Sequence, residues 1–452
     1  MASDLTLNES DHDQLVSGRS PWGGTSIRPP YKSLSDSFHI DVAVIGGGIT
    51  GALAAEVLTA RGLSVCIIDR EQPGLGSTAA STAMLQWEID RQLSELEEFY
   101  GFERASATYR RSVIAVHGLA DLITTHGIAC QFQPRSSLYI TSGPTGAHEL
   151  AYEYDLRRRA GLQGRLLEHP DLMAEFDIDR DGAILSPGSA EVDPLLLTWG
   201  LLDIGIKRGA RLVNASAVRL HAGGAHVTIE TDGPYEIEAD NVVLATGYSM
   251  PGIDMPKLHR TLSSYAIATA PQAPETLWRD GLLLWEDTHP YLYARTTADH
   301  RIVAGGEDDE TIDPQERDSK LPAKIAAIRE KLRLIWPEAD MRVDYAWCGT
   351  FGETVDGLPL IGPVPGVPRV YAAYGYGGNG ITFSYMAAQM IGAMISGVRR
   401  DWFDDFALDR DGPPSKFTWE AEERIVTPPP LDVTQDGDIE SVVPSSPVSS
   451  TS

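Results

Sequence analysis

Three glycines spaced two and three apart, Gly46, Gly48 and Gly51, stand between the apolar run Val42 to Ile45 and a stretch holding the small residues Ala52, Ala54 and Ala55. That spacing is chemistry for an anion. Gly46 permits a tight turn out of a strand, Gly48 lets the backbone approach a pyrophosphate, and Gly51 lets a helix pack close to a sheet. The helix would open with Ile49 and Thr50 in its first turn, where free N–H groups face the phosphates. A second apolar run, Val65 to Ile68, ends at Asp69, 69 − 51 = 18 positions past the last glycine, with Arg70 after it. A carboxylate there accepts hydrogen bonds from a ribose. The unit holds a dinucleotide, and Asp69 would serve NAD or FAD equally well.

Further segments bear on which dinucleotide it is. Ala239 to Gly247 is an apolar strand running into a small turn, Ala245-Thr246-Gly247. Thr354-Val-Asp356-Gly to Gly362-Pro363 reads as a turn and a strand. Tyr374-Gly-Tyr376-Gly377-Gly378-Asn379-Gly380-Ile381-Thr382 leads into the apolar run Met386 to Val398. A glycine-rich turn opening a helix is a second anion-facing terminus, suited to a flavin ring that gains negative charge on reduction.

In this order the segments resemble the D-amino-acid oxidase superfamily of FAD-dependent amine oxidoreductases, which includes glycine oxidase, sarcosine oxidase and D-amino-acid dehydrogenases. The resemblance runs from about Asp41 to about Gly397. It implies FAD as cofactor. It also implies that the loop Gly74 to Met84, with Gly76, Ser77, Thr78, Ser81, Thr82 and Met84, lies between pyrophosphate and flavin. Glu191-Val-Asp193-Pro would precede a helix, and the backbone at Val218 would meet the adenine. The implied fold class is α/β, a discontinuous Rossmann-type FAD-binding domain with a second α+β substrate domain on a mixed or antiparallel sheet. Two departures stand out. Many relatives carry Arg-Asn-Gly-Gly where this chain reads Ala80-Ser81-Thr82-Ala83. Cys348 lies in the neighbourhood where sarcosine oxidases attach FAD, but its spacing to Asp356 does not match, so it reads as a buried small residue and the FAD as non-covalent.

For a family of this kind the flavin takes the hydride, and the protein must orient the substrate C–H, exclude water and keep the amine unprotonated. A substrate carboxylate calls for an arginine fork. Arg295 is the candidate, on the alternating stretch His289 to Thr297 whose Tyr291, Tyr293 and Arg295 share one face. In similar proteins this strand lies over the flavin. Tyr293 and Tyr376 are the polar aromatics expected beside it. The expected activity is oxidation of an amine or amino-acid C–N bond, with oxygen or a quinone as re-oxidant. The alternatives are oxidation of a hydroxy acid or polyol phosphate, and a non-catalytic flavoprotein subunit.

The elements that must position these residues follow from the same segments. An FAD-binding domain is expected from 38–86, 185–255 and 345–400, and a substrate domain from 87–184 and 256–344. Helices are expected over Leu93 to His126 and over Ala323 to Trp336, where Ile325, Ile328, Leu332 and Ile335 recur at helical spacing. Residues 1–37 read as a polar arm, 401–427 as a C-terminal extension and 428–452 as a disordered tail rich in Pro, Ser and Asp.

Composition narrows the partners. The formal charge of 37 − 64 = −27 disfavours nucleic acid. The longest basic run, Arg157-Arg158-Arg159, reads as a solvated helix face. Three cysteines without pairing pattern fit a reducing compartment. The eleven histidines show no HxH or HExxH spacing, so no catalytic metal is expected. The start carries no charged-then-apolar leader, no apolar run approaches a membrane span, and the end is not Ser-Lys-Leu. Cytoplasm is the expected compartment, and oligomeric state is left open.

Overall fold

Val42, Ala43 and Val44 have no exposed surface, as befits a strand covered on both faces. In the computed structural model they belong to Phe38–Ile45, which pairs in parallel with Val65–Asp69 on one side and Glu236–Leu244 on the other. The parallel series continues outward. Arg211–Asn214 joins Val65–Asp69, Lys32–Ser33 joins Arg211–Asn214, and Val370–Tyr374 joins Glu236–Leu244. An antiparallel flank of Ala217–Gly223 and His226–Thr231 completes the sheet beyond Glu236–Leu244. Helix Ile49–Ala60 leaves the first strand directly and packs with Pro194–Lys207 and Gly380–Ile395. The structure describes residues 3–7, 15–24, 28–141, 146–249, 252–253, 256, 258–286, 290–414 and 419. His289 and the tail expected from 428 lie outside them.

The second sheet runs in the order Val16–Gly18, Val343–Thr354, His259–Thr269, Ile302–Asp309, Leu292–Thr296, Leu283–Glu286, Gln133–Ile140, Gly182–Glu191 and Met84–Leu85. It is mixed because Leu283–Glu286 and Gln133–Ile140 pair in parallel while their neighbours pair antiparallel. Its core gathers Leu138, Ile267, Ile302 and Leu292 under Ile328, Leu332 and Ile335 of helix Pro314–Ile335. The chain is thus α/β, with a Rossmann-type sheet beside a second, mixed sheet. Both lie in one compact unit, Met1–Pro413.

Several expected boundaries shift. Gly182–Glu191 and Val343–Thr354 are strands of the second sheet, so the chain enters the first sheet after Glu191 and after Thr354, not at 185 and 345. Helix Pro314–Ile335 starts well before Ala323, because Asp313 caps it by accepting Glu316 N at 2.9 Å and Pro314 suits its first position. The helical stretch from Leu93 breaks at Gly101, where φ is 79°, into Leu93–Tyr100 and Phe102–His126. The N-terminal arm supplies strands to both sheets, with Ser3–Thr6 pairing Ala217–Gly223 and Val16–Gly18 pairing Val343–Thr354. Arg157 is no part of a solvated face. It is 2% exposed, donates to Glu153 at 2.7 Å and is ringed by Trp87, Tyr109 and Tyr139, because an i, i+4 carboxylate pairs it on the inner side of its helix.

Candidate functional site

Backbone crowds the glycine turn at Gly46 and Gly51. A β-carbon on Gly51 would stand 1.9 Å from the Gly46 carbonyl oxygen, so helix and strand approach only without a side chain there. Gly46 has φ 105°, and Ala245 N donates to Ile45 O at 2.8 Å beside it. The Ala245-Thr246-Gly247 turn is thereby set against the first motif. Thr246 Oγ1 lies 2.9 Å from Tyr374 OH, tying it to the strand that leads to the second glycine turn.

Asp69 accepts Gly47 N at 2.7 Å and Glu71 N at 2.9 Å. Burial pushes its carboxyl up, and those two N–H groups oppose the shift. Arg70 beside it is half-buried. Tyr31 OH donates to the Asp69 carbonyl at 3.0 Å, and Asn214 is the parallel register partner of Asp69. This wall of Tyr31 and Asn214 was not legible locally, because it is assembled by strand order. Val218 sits at a bulge between Ala217 and Arg219, and its carbonyl already accepts Leu7 N at 2.9 Å.

The small-residue loop comes next. Gly76 precedes the short helix Ser77–Ala80, and Thr78 Oγ1 accepts Ile49 N at 3.0 Å. Ser77 Oγ is buried with no hydrogen-bond partner, close to Gly247. Ser81 Oγ accepts Ala83 N at 3.0 Å, and Ala83 is held at φ 56°, a strained conformation for a residue with a β-carbon. Met84 then enters the second sheet opposite Glu191.

At the second glycine turn, Gly378 N donates to Asp90 Oδ2 at 2.7 Å. Asn379 Nδ2 donates to Glu88 O at 2.7 Å and Thr382 Oγ1 to Gln86 O at 2.9 Å, so the start of helix Gly380–Ile395, including buried Ile381, is fastened to 86–90. Tyr376 is buried, and Thr50 Oγ1 donates to its hydroxyl at 3.4 Å. It links the two helix starts.

Strand Leu292–Thr296 brings Tyr293 near Thr82 of the small-residue loop. Tyr293 OH lies near the side chains of Thr82 and Ser264, with burial pushing its hydroxyl up to about 12. The Tyr291 and Tyr293 rings lie 6.0 Å apart. Arg295, 2% exposed, donates to Val192 O at 2.9 Å, stands 3.6 Å from Glu191 Oε2 and lies over the Trp22 ring at 4.9 Å. Trp22 in turn donates to Ser81 O at 2.7 Å. The guanidinium is packed into protein, so the open fork expected there is absent. The cause is Glu191, which anchors both Arg295 and Arg135 at the end of its strand.

What spacing did not reveal is a group of carboxylates next to the tyrosines. Tyr291 OH donates to Asp308 Oδ2, with Ser264 nearby. Burial, with Glu353 and Asp90 adding their charge, pushes the Asp308 carboxyl up to about 7. Burial and Glu353 likewise push Asp90 to about 6 against the Gly378 N–H. Tyr248 feels the Asp90 charge and is pushed up to about 12 chiefly by burial. Asp90 is open to solvent although protein surrounds and desolvates it, and Tyr248, Tyr291, Tyr293 and Asp308 are half-accessible in the same way. Side chains with both properties are recessed among protein groups yet reachable by solvent. The partner strand of Tyr291 is Ile302–Asp309, so pairing Leu292 with Gly306 would have found Asp308.

The family described as FAD dependent oxidoreductase (DAO) matches residues 41–394. The chain belongs to this family. This FAD-dependent oxidoreductase is 25% identical over 387 residues to gamma-glutamylputrescine oxidoreductase of Escherichia coli strain K12, covering 84% of this chain and 88% of that one. It is 24% identical over 400 residues to glycine oxidase of Bacillus licheniformis, covering 82% and 97%. Its fold matches the crystal structure of glycine oxidase from Geobacillus kaustophilus at a TM-score of 0.68 with 18% identity, over 83% of this chain and 100% of that one. The cofactor is FAD, and the residues fit it. The orphaned Ser77 Oγ close to Gly247 is a polar group awaiting a phosphate-like partner. Cys348 is fully buried, with its thiol pushed up to about 12 by burial. Among the described residues no helix is long and apolar enough to cross a membrane.

Proposed function

We propose that this chain oxidises the C–N bond of an amine and reads that amine by its positive charge, not through an α-carboxylate. The observation that carries this reading is the group of carboxylates Asp90, Asp308 and Glu353, close enough to feel one another's charge, beside Tyr248, Tyr291 and Tyr293. Three arginines bear on it, of which Arg91 beside Asp90 donates to Val355 O at 2.9 Å and Glu95 at 3.1 Å. Arg260 is taken by Glu353 at 2.8 Å and Glu310 at 3.2 Å, and Arg295 is packed against Val192, Glu191 and Trp22. A carboxylate beside such a group would meet like charge, whereas an ammonium would find partners.

FAD would be held by Gly46, Gly48 and Gly51 with the helix start Ile49–Thr50, by Asp69 with Arg70, by Gly76 to Met84, by Val218 and Ala245 to Gly247, and by Gly377 to Thr382. When bound it supplies the acceptor for a hydride. The Asp308 carboxyl would take the proton from the substrate ammonium, and a carboxyl poised at about 7 does so near neutrality. Tyr291 holds that carboxyl in place. Tyr293 stands beside Thr82, Tyr376 braces the two helix starts, and Arg295 acts as a strut. Loss of hydride from the carbon bearing the free amine gives an imine, which water hydrolyses to a carbonyl compound and ammonia or a smaller amine. Relatives named for gamma-glutamylputrescine and glycine support C–N chemistry. A cytoplasmic location, and oxygen or a quinone as re-oxidant, belong to the same proposal.

The test is anaerobic bleaching of the purified flavoprotein by glycine, sarcosine, D- and L-amino acids, proline, and diamines or polyamines. Carboxylate-free amines with a second cationic centre are expected to reduce the flavin at least tenfold faster than any α-amino acid. Faster reduction by an amino acid overturns the charge reading and leaves C–N oxidation standing. Reduction by hydroxy acids or polyol phosphates alone, or by dithionite alone, would move the assignment to the alcohol-oxidising or the non-catalytic alternative.

A further inference from the structure

On the first sheet, at the ends of the strands opposite the glycine turn, three side chains from three neighbouring strands converge. His39 comes from Phe38–Ile45, His226 from His226–Thr231 and Asp240 from Glu236–Leu244. His39 Nε2 lies 3.0 Å from Asp240 Oδ1, His226 Nδ1 lies 2.7 Å from the same oxygen, and the two nitrogens are 3.2 Å apart. The side chains are 44%, 45% and 37% exposed.

Hydrogen bonding accommodates this triangle only at the cost of one unfavourable contact. If both rings carry a proton on the facing nitrogen and donate to Asp240 Oδ1, the two N–H groups oppose each other at 3.2 Å. If one of the two nitrogens is unprotonated so that it accepts from the other ring, its lone pair faces the carboxylate oxygen. Whichever tautomers are chosen, one of the three short contacts is repulsive. A cation removes the conflict, because all three atoms then present lone pairs to one centre. A divalent ion about 2.1 Å from each donor, the usual length for zinc on imidazole and carboxylate, would stand about 1.2 Å above the plane of this triangle. Three protein donors on one side would leave the other side to water.

We infer that His39, His226 and Asp240 form a surface site for a divalent transition-metal ion. Two imidazoles and one carboxylate suit zinc and its borderline neighbours, while calcium and magnesium prefer all-oxygen sets. The ion would clamp the first strand of the nucleotide-binding unit to the antiparallel flank across Glu236–Leu244. This site is independent of the substrate reading, and the histidine spacing in the sequence did not reveal it because its ligands come from three strands.

The test uses FAD-loaded enzyme stripped with EDTA. Isothermal titration with zinc chloride is expected to give one ion per chain, and frozen-solution EPR of the copper(II) form to show coupling to two imidazole nitrogens. Because all three side chains are exposed, His226→Ala and Asp240→Asn should fold with an unchanged flavin spectrum and bind zinc at least tenfold more weakly. His148→Ala, an exposed histidine away from this cluster, is the control and should bind as the parent does. Absence of stoichiometric binding at millimolar zinc, or binding that survives both substitutions, overturns the site.

Discussion

Asp308 concentrates the chemistry at the scale of single residues. Its carboxyl is desolvated, faces Asp90 and Glu353, and is held by Tyr291 with Ser264 nearby. A carboxyl pushed to about 7 in the folded protein, against about 3.9 in an unfolded chain, has two consequences of known sign. Below about pH 4 it is neutral in both states and costs nothing. Between there and about pH 7 the unfolded chain releases the proton first, so stability falls as pH rises. In the free enzyme, activity would move the opposite way, since only the carboxylate accepts a proton. Asp308→Asn is therefore expected to lower kcat/KM for the best amine by about 10²–10⁴-fold and to abolish the limb near pH 7. The same substitution should raise Tm at pH 8 and leave it little changed at pH 4. Stopped-flow flavin reduction across pH, paired with thermal melts, checks both. An unchanged acidic limb would assign that titration to another group, with Asp90 next in line.

Among the elements, the Thr354–Pro363 segment shows how a motif can be legible and its reason hidden. Asp356 reads in the sequence as part of a turn, and the structure has it fully buried, accepting Arg410 Nη2 at 2.8 Å, Tyr100 OH at 2.7 Å and Leu358 N at 3.1 Å. Burial alone would push its carboxyl up, yet the Arg410 guanidinium with Tyr100 holds it below the usual range. The C-terminal extension thus locks the loop that feeds strand Leu360–Pro363. Arg410→Ala leaves a buried carboxylate unpaired and should cost about 3–5 kcal/mol in urea denaturation at pH 7. The deficit should shrink as pH falls toward the unfolded carboxyl range. The contrast with the glycine motifs is physical. Gly46, Gly48 and Gly51 declare themselves because backbone geometry is local, whereas the partners of Asp356 and Asp308 are fixed by which strand lies beside which. For the same reason the alternation of Tyr291, Tyr293 and Arg295 declares a shared face, but not that Glu191 and Val192 would occupy the Arg295 guanidinium.

For the molecule as a whole, the N-terminal segment is the feature least expected from its polar composition. Leu5 and Leu7 are buried on the flank of the first sheet, while Val16–Gly18 extends the second sheet along Trp347, Cys348 and Gly349. Trp347 in turn donates to Ala80 O at 2.8 Å, inside the loop proposed to lie between pyrophosphate and flavin. The two ends of the arm should therefore fail differently. Removing residues 2–7 takes two buried leucines from one edge and should cost about 3–6 kcal/mol, at about 1.5–3 kcal/mol for each leucine, with FAD affinity nearly unchanged. Removing residues 2–18 also frees the edge at Trp347, and that freedom passes through Ala80 to the small-residue loop. FAD should then dissociate at least tenfold more readily, measured as the return of flavin fluorescence on dilution. Equal FAD retention by both truncations would mean that the loop is held by Ser81, Thr78 and their own partners, and that the arm contributes only to stability.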